Sequence, residues 1–319
     1  MILLNDIKGQ ESAVRYLLNS RASGRMAGSY LFSGPAGVGR ALTAKAFLAS
    51  LACERGREQA CMICPSCRRV WKGEHPDVKW IRPEKNKNIK IDTIRDIKAA
   101  LGMKPFEAPF NACVIEDAHM MTTEASNALL KVLEEPPGAS MLILITDRKE
   151  WLLTTVVSRC SEVRFRRLSA EDSARIVSRE AGVPGKEALF LSHLSQGSPG
   201  RALEMIEEGV LDRKDILLDL VEEIAKEKNP SCMNWPEEKR DALIEDIEIV
   251  LIIFRELVFR SEGLEDLMLD REAFEGRDIR AYPAERVYKI LGELVSVKKS
   301  VSGNINAKLA AQVLPGMLS

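Results

Sequence analysis

A glycine-rich segment near the N-terminus has the spacing of a phosphate-binding loop, reading Gly-Pro-Ala-Gly-Val-Gly-Arg-Ala from Gly34 to Ala41. In the pattern G-x-x-x-x-G-K followed by Ser or Thr, backbone N–H groups surround the phosphates, the Lys contacts them and the hydroxyl binds Mg²⁺. The glycines stand at Gly34, Gly37 and Gly39, but Arg40 takes the Lys position and Ala41 the hydroxyl position. Because alanine cannot ligate a metal and arginine is not equivalent to lysine, we predict a nucleotide-hydrolase frame that does not itself hydrolyse nucleotide.

Two acids, Glu116 and Asp117, follow an apolar strand-like segment. A phosphate-loop ATPase needs an Asp that holds Mg²⁺ and a neighbouring Glu that activates water. The order is reversed here, and a carboxylate misplaced by one methylene can cost about a hundredfold in rate. The alternative is a pair of solvated acids at a strand end. In both cases the altered acids, like the altered loop, indicate that the chain does not hydrolyse nucleotide.

Four of the seven cysteines cluster, at Cys53, Cys61, Cys64 and Cys67. Close Cys-x-x-Cys spacing in an intracellular chain favours a metal site over disulfides. Four thiolates complete a closed tetrahedral zinc site with no position for substrate, so we predict a structural Zn²⁺ ion and disfavour a zinc-dependent enzyme. The alternative is a set of free thiols in a polar loop.

The elements that must position these residues alternate between strand-like and helix-like segments, which is typical of an α/β sheet. A strand that runs into the glycine loop and a helix that follows it are the context a phosphate loop requires. The predicted strands are 29–33, 77–82, 112–115, 141–146 and 162–165, and the predicted helices between them are 42–52, 91–102 and 122–135.

After Phe165 the pattern becomes helical. Segments 169–182, 184–196 and 199–208 predict a three-helix satellite domain. Further helices are predicted over 216–228, 237–261, 284–302 and 304–314.

The composition is that of an ordinary soluble protein of 319 residues, with 46 basic and 47 acidic side chains. This balance gives no support for a nucleic-acid-binding surface over the whole chain. Two interpretations are left for the basic clusters at 68–69, 85–90 and 164–167: contact with DNA phosphates, or exposure to solvent. With no secretory signal and no run long enough to span a bilayer, we predict a cytoplasmic protein without a membrane partner.

Several longer motifs carry a specific resemblance. The runs Glu-Asp-Ala-His-Met-Met from Glu116, Ala-Ser-Asn-Ala-Leu-Leu-Lys-Val-Leu-Glu-Glu-Pro-Pro from Ala125 and Ser-Arg-Cys from Ser158 resemble bacterial DNA polymerase III clamp-loader subunits of the AAA+ class. The resemblance extends through Gly-Ser-Pro-Gly-Arg from Gly197 and, more weakly, to a segment that starts at Asn304. It implies a P-loop parallel-sheet domain over 1–166 with a zinc insertion at about 53–67, a lid domain over 167–210 and an all-α collar over 211–319.

Within this family, the gamma/tau motor subunits keep the loop Lys and Thr and the Asp-Glu order. The delta-prime branch has degenerate nucleotide motifs and keeps Ser-Arg-Cys, and this chain has that pattern. The resemblance implies that Arg159 is an arginine finger acting on a neighbour's ATP, that the four cysteines are the zinc module, and that Thr146 and Arg201 occupy nucleotide-sensor positions. The alternatives are a surface ion pair of Arg159 with an acid such as Glu162, and pairing of Arg201 with acids of its own helix.

We therefore predict a scaffold subunit without ATPase activity of its own, within a DNA polymerase III holoenzyme. Its implied partners are the gamma/tau and delta subunits and, through the complex, the sliding clamp and primed DNA. The alternative is an active motor or another AAA+ ATPase in which Arg40 replaces the loop Lys. Binding of ATP or ADP at the altered loop is left open.

Overall fold

A computed structural model describes residues 1–56, 59–84, 87–227, 235–236, 239–277, 282–303 and 306–318. The predicted segments that begin at Lys85, Glu237 and Asn304 therefore begin outside the described residues. The strands are β1 Ser29–Ser33, β2 Val78–Ile81, β3 Asn111–Ile115, β4 Ser140–Thr146 and β5 Ser161–Arg164. The helices are α1 Glu11–Ala22, α2 Arg40–Leu51, α3 Pro65–Lys72, α4 Ile91–Leu101, α5 Thr123–Glu134, α6 Thr154–Val157, α7 Ala170–Ala181, α8 Gly185–Leu194, α9 Pro199–Glu207, α10 Val210–Glu227, α11 Arg240–Ser261, α12 Ala284–Ser302 and α13 Ala307–Leu318.

The strands form one parallel sheet in the order β2-β3-β4-β1-β5. β1 and β3 are buried along their whole length, as expected for strands covered on both faces. In the register, Ser33 pairs with Thr146 and Ile115 with Leu144, so the ends of β1, β3 and β4 meet at one edge. The predicted α/β class and all five predicted strands are confirmed, and this edge is where the glycine loop and the acids lie.

Three helices were not predicted: α1, α3 and the single-turn α6. α1 precedes the first strand and buries Ala13, Val14 and Leu17. α3 begins inside the cysteine segment, for which no helix is among the predicted ones, and continues past Cys67. Proline at its first position, a cap in which the Cys64 sulfur accepts a hydrogen bond from the N–H of Cys67, and left-handed Gly73 at its end together limit it to 8 residues.

The chain divides into two compact units. The first comprises Met1–Asp172 and Gly197–Gly200, and the second comprises Ser173–Gln196 and Arg201–Ser319. In the second unit, buried side chains from all of α7 to α13 belong to one hydrophobic cluster. The separation of a lid at 167–210 from a collar at 211–319 therefore stays a prediction.

The described helices of the second unit agree with the predicted pattern with two exceptions. α10 starts at Val210 rather than at Ile216, and α13 ends at Leu318 rather than at Leu314. Over the described residues, no helix is both long and apolar enough to cross a membrane.

Candidate functional site

The carbonyl groups of the glycine loop are occupied by hydrogen bonds from other parts of the first unit. These bonds fix the loop backbone, and the N–H of Gly34, at the start of the loop, donates to the carbonyl of Thr146 at 3.3 Å. The donors are Ser198 Oγ to Ala36 O at 2.7 Å, Gly200 N–H to Gly37 O at 2.9 Å, Gln10 Nε2 to Val38 O at 3.3 Å and Thr43 N–H to Gly39 O at 2.8 Å.

The loop backbone needs its glycines. Gly34 has a φ of 143°, and a Cβ atom there would lie 2.4 Å from the carbonyl oxygen of Phe165. Gly39 caps α2 with a φ of 94°, a left-handed conformation that favours glycine. Packing therefore requires glycine at position 34 and backbone conformation favours it at position 39, whether or not phosphate binds.

Arg40, at the start of α2, points its side chain into the protein. The residue is only 8% exposed, and its Nη1 atom has no hydrogen-bond partner in the part of the chain that the structure describes. Burial lowers the pKa of Arg40, an effect opposed by the nearby charges of Asp147, Asp117 and Glu116. An arginine in the Lys position is thus balanced by carboxylates at the strand ends.

The carboxylate of Glu116 is hydrogen-bonded to side chains of β2 and of the residue that directly follows β2. Both of its carboxylate oxygens accept hydrogen bonds from Arg82, at 2.8 Å from Nη2 and 2.9 Å from Nε. The indole N–H of Trp80 donates a further hydrogen bond to it. Since this bidentate pair uses both oxygens, the acid in the metal-binding position is committed to a neighbouring arginine.

Asp117 lies in a second group of polar side chains, with His119 and Asp147. Asp117 has a positive φ of 46°, and ligand-type atoms of the three residues lie within 4.8 Å of one another. The Nδ1 atom of His119 is 3.1 Å from the Thr146 hydroxyl and 3.5 Å from Asp147 Oδ1. The hydroxyl also accepts a hydrogen bond from the N–H of Arg148 at 3.0 Å. The predicted sensor residue Thr146 is therefore fully buried in a local polar network.

The four predicted cysteines lie together, with their sulfur atoms within 4.8 Å of one another. The N–H groups of Cys61, Cys64 and Cys67 donate to the sulfurs of Cys53, Cys61 and Cys64, each at 3.4 Å. The backbone hydrogen bond from Ile63 contributes most to a pKa of about 6 at Cys61, whereas burial raises the pKa of the Cys67 thiol. Four converging sulfurs supported by N–H donors fit a tetrahedral metal ion.

The Ser158-Arg159-Cys160 segment forms a hydrogen-bonded turn after α6. Cys160 packs against the core beside β5, and burial raises its pKa to about 12, so it is a neutral anchor. Arg159 remains 37% exposed and pairs with Glu134, Nη2 to Oε1, at 2.6 Å. The acid suggested by sequence, Glu162, is not this partner; it binds Lys149 and Arg164.

Arg201 lies in the second unit. Its guanidinium pairs with Glu208 at 2.9 Å, Glu245 at 3.1 Å and Glu204 at 3.4 Å. Glu204 and Glu208 are among the local acids of the alternative interpretation, which were Glu204, Glu207 and Glu208. Glu245 comes from α11 and has no local signal in the sequence.

Sequence reasoning placed the loop, the acids and Thr146 each at the end of a strand, and the register brings those ends to one edge. It assigned no role to His119, Asp147 or Glu134. The first two follow the ends of adjacent strands β3 and β4, so strand order would have identified them. Glu134 was quoted only as part of a motif, and its contact with Arg159 depends on the packing of α5 against α6.

A family profile described as "DNA polymerase III, delta subunit" matches residues 9–169. The DNA polymerase III subunit delta' of Pseudomonas aeruginosa is 32% identical over 236 residues, which is 72% of this chain and 71% of that one. The Bacillus subtilis subunit delta' is 25% identical over 310 residues, covering 94% and 93% of the two chains. The B. subtilis subunit tau is 30% identical over 221 residues, 66% of this chain, and the match spans only 38% of tau.

Proposed function

Because the chain belongs to the DNA polymerase III delta' family, we propose that it is the non-hydrolysing scaffold subunit of a replicative clamp loader. In this role it joins gamma/tau motor subunits and a delta subunit in a hetero-oligomer. The complex loads the sliding clamp onto primed DNA at the expense of ATP. The proposed location is the cytoplasm, as the sequence predicts.

One observation supports the proposed absence of ATP hydrolysis. Arg82 binds Glu116, the acid in the metal-binding position of the acidic motif. Both oxygens of Glu116 accept its hydrogen bonds, and Ala41 offers no hydroxyl. A phosphoryl-transfer site needs Mg²⁺ held by such an acid and such a hydroxyl. Of the two positions that hold the ion in such a site, one therefore has no hydroxyl and the other has an acid already paired with Arg82. Weak binding of ATP or ADP through the loop backbone stays compatible with the proposal.

Arg159 supplies the proposed contribution to catalysis. A guanidinium delivered across an interface neutralises charge on the transferring phosphoryl group and is worth about a thousandfold or more in rate. Its exposed position, on a turn anchored by the partly buried Cys160, supports this use. Hydrolysis on the neighbouring subunit would then depend on correct assembly.

The proposal also includes a structural Zn²⁺ ion on Cys53, Cys61, Cys64 and Cys67, a lid at 167–210 and a collar at 211–319 that mediates assembly. Such an ion would tie α3 to the end of α2 and supply no catalytic chemistry, since four sulfurs fill a tetrahedral ion. Metal analysis of the undenatured protein should find about one zinc per chain, and a value below about half would contradict this part.

The central experiment measures ATP turnover by the chain alone, by its cognate tau subunit with the chain, and by the same mixture carrying Arg159→Ala. The chain alone should be inactive, and R159A should lower turnover of the assembled motor about a thousandfold. Gel filtration must show that the complex still forms. Robust Mg²⁺-dependent hydrolysis by the purified chain would instead favour the alternative, an active AAA+ ATPase that uses Arg40 in place of Lys.

A further inference from the structure

We propose that Glu134 is a positioning residue for Arg159, which it restrains in the free subunit and releases when a neighbour presents nucleotide phosphate. This inference rests on the proposed function, because only an arginine that acts in trans has to leave a partner on its own chain.

The contacts of Arg159 use the nitrogens that a phosphate would need. Its Nη2 atom lies 2.6 Å from Glu134 Oε1, and its Nη1 atom donates to the carbonyl of Thr155 at 3.1 Å. A guanidinium meets phosphate oxygens through these same terminal N–H groups. The contact with Glu134 and a contact with phosphate therefore compete.

The place of Glu134 in its helix is unfavourable for a carboxylate. It is the last residue of α5, where the helix dipole favours a cation over an anion. A residue that is unfavourable at its place in a helix is expected to have a functional reason for being there. Lys131 is a basic residue in the last turn of α5, and the guanidinium of Arg159 adds a positive charge directly on Glu134. The turn and the helix end are therefore electrostatically matched in the free chain.

The packing beneath this pair fixes the distance between helix end and turn. Leu129, Val132 and Leu133 of α5 and Val156 of α6 are buried in the same hydrophobic cluster, against which Cys160 also packs. Glu134 and Arg159 thus start from backbones that the core holds in place. Only their side chains have to move when the arginine leaves.

The strength of the pair suits a contact that has to break. The two side chains are 37% and 50% exposed, and exposed ion pairs are individually weak and screened by solvent. A nucleotide phosphate in a water-poor interface carries more negative charge than one carboxylate and is screened less. Glu134 can therefore hold the arginine while the subunit is free without retaining it in the assembled site.

The test is a double-mutant cycle on the dissociation constant between the full-length chain and its cognate tau subunit, with tau loaded with Mg²⁺ and a non-hydrolysable ATP analogue. Glu134→Gln should tighten binding about two- to fivefold, because the ion pair no longer has to be broken. In the R159A background the same change should have no effect. Glu135→Gln, the adjacent carboxylate, is the matched control and should leave binding unchanged in both backgrounds.

The outcomes separate the two proposals. If R159A alters neither the nucleotide-dependent binding nor the turnover of tau, the proposed function itself fails. If R159A has its effect but E134Q leaves binding unchanged or weakens it, only the role of Glu134 is overturned. A lower unfolding midpoint of E134Q with an unchanged dissociation constant would show a purely structural residue and would also overturn it.

Discussion

The glycine loop and the Ser158-Arg159-Cys160 turn each present an arginine, but in opposite settings. Around Arg40, every loop carbonyl from Ala36 to Gly39 has a donor, and the residue is buried. Arg159 projects from a turn that is anchored by the following cysteine, and its side chain is 37% exposed. The difference teaches that burial, more than residue type, decides which arginine is able to act on another molecule.

In the glycine loop, the close approach of Gly34 to the backbone of Phe165 implies that this glycine is needed for packing. Gly34→Ala should lower the free energy of unfolding by about 3–4 kcal/mol, since a Cβ would meet a backbone oxygen and adopt a disfavoured φ. Chemical denaturation of the full chain measures this.

Gly24→Ala is the matched control for the conformational contribution alone. Gly24 also has a positive φ, of 67°, but nothing lies within 4 Å of a Cβ built there. Gly24→Ala should lower the free energy of unfolding by only about 1 kcal/mol. Equal effects of the two substitutions would show that the contact with Phe165 does not matter.

Glu162 links the two regions, because it accepts hydrogen bonds from Ser33, which directly precedes the loop, and from Lys149, which precedes the turn. Burial alone would raise its pKa, but hydrogen bonds from Lys149, Arg164 and Ser33 bring it down from 4.5 to about 2. Because the folded pKa is depressed, the carboxylate stabilises the fold above about pH 4.5, and this contribution is lost as the pH falls toward about 2.

Glu162→Gln should therefore cost about 2 kcal/mol at pH 7, and the difference from the native chain should shrink between about pH 4.5 and pH 2. Denaturation curves across this range give the measurement. A difference that stays constant with pH would mean that the charge of Glu162 contributes nothing.

The smallest effect is expected at Arg40. Arg40→Met removes the cost of burying the charge but also the attraction of that charge to Asp147, Asp117 and Glu116. Because these two effects oppose each other, we expect the unfolding free energy to change by no more than about 1 kcal/mol. Turnover of an assembled motor should also stay within about twofold, in contrast to R159A. A loss of turnover comparable to that of R159A would remove the distinction between the two arginines.

The sheet was predictable because β1, β3 and β4 are short apolar runs between turn signals, and no other element competes for those residues. α1 was missed because it has only three buried side chains along twelve residues, which leaves a weak periodic pattern. At the site, motif spacing located Arg40, Glu116 and the cysteines.

The partners of these residues were not predictable. Arg82 on Glu116 and Glu134 on Arg159 depend on strand order and helix packing, which bring together residues distant in sequence. Spacing along a sequence indicates which chemistry is available, whereas only the fold shows which groups are already engaged.

The assignment of Gly197–Gly200 to the first unit has a consequence for dissecting the protein. A fragment that stops at Asp172 would lose the donors that Ser198 and Gly200 provide to the loop. The N-terminal unit is thus discontinuous in sequence, completed by four residues that return to it from a later part of the chain. A truncation or a domain exchange at a single boundary would therefore remove part of this unit. A fragment meant to fold as the complete unit has to include Gly197–Gly200.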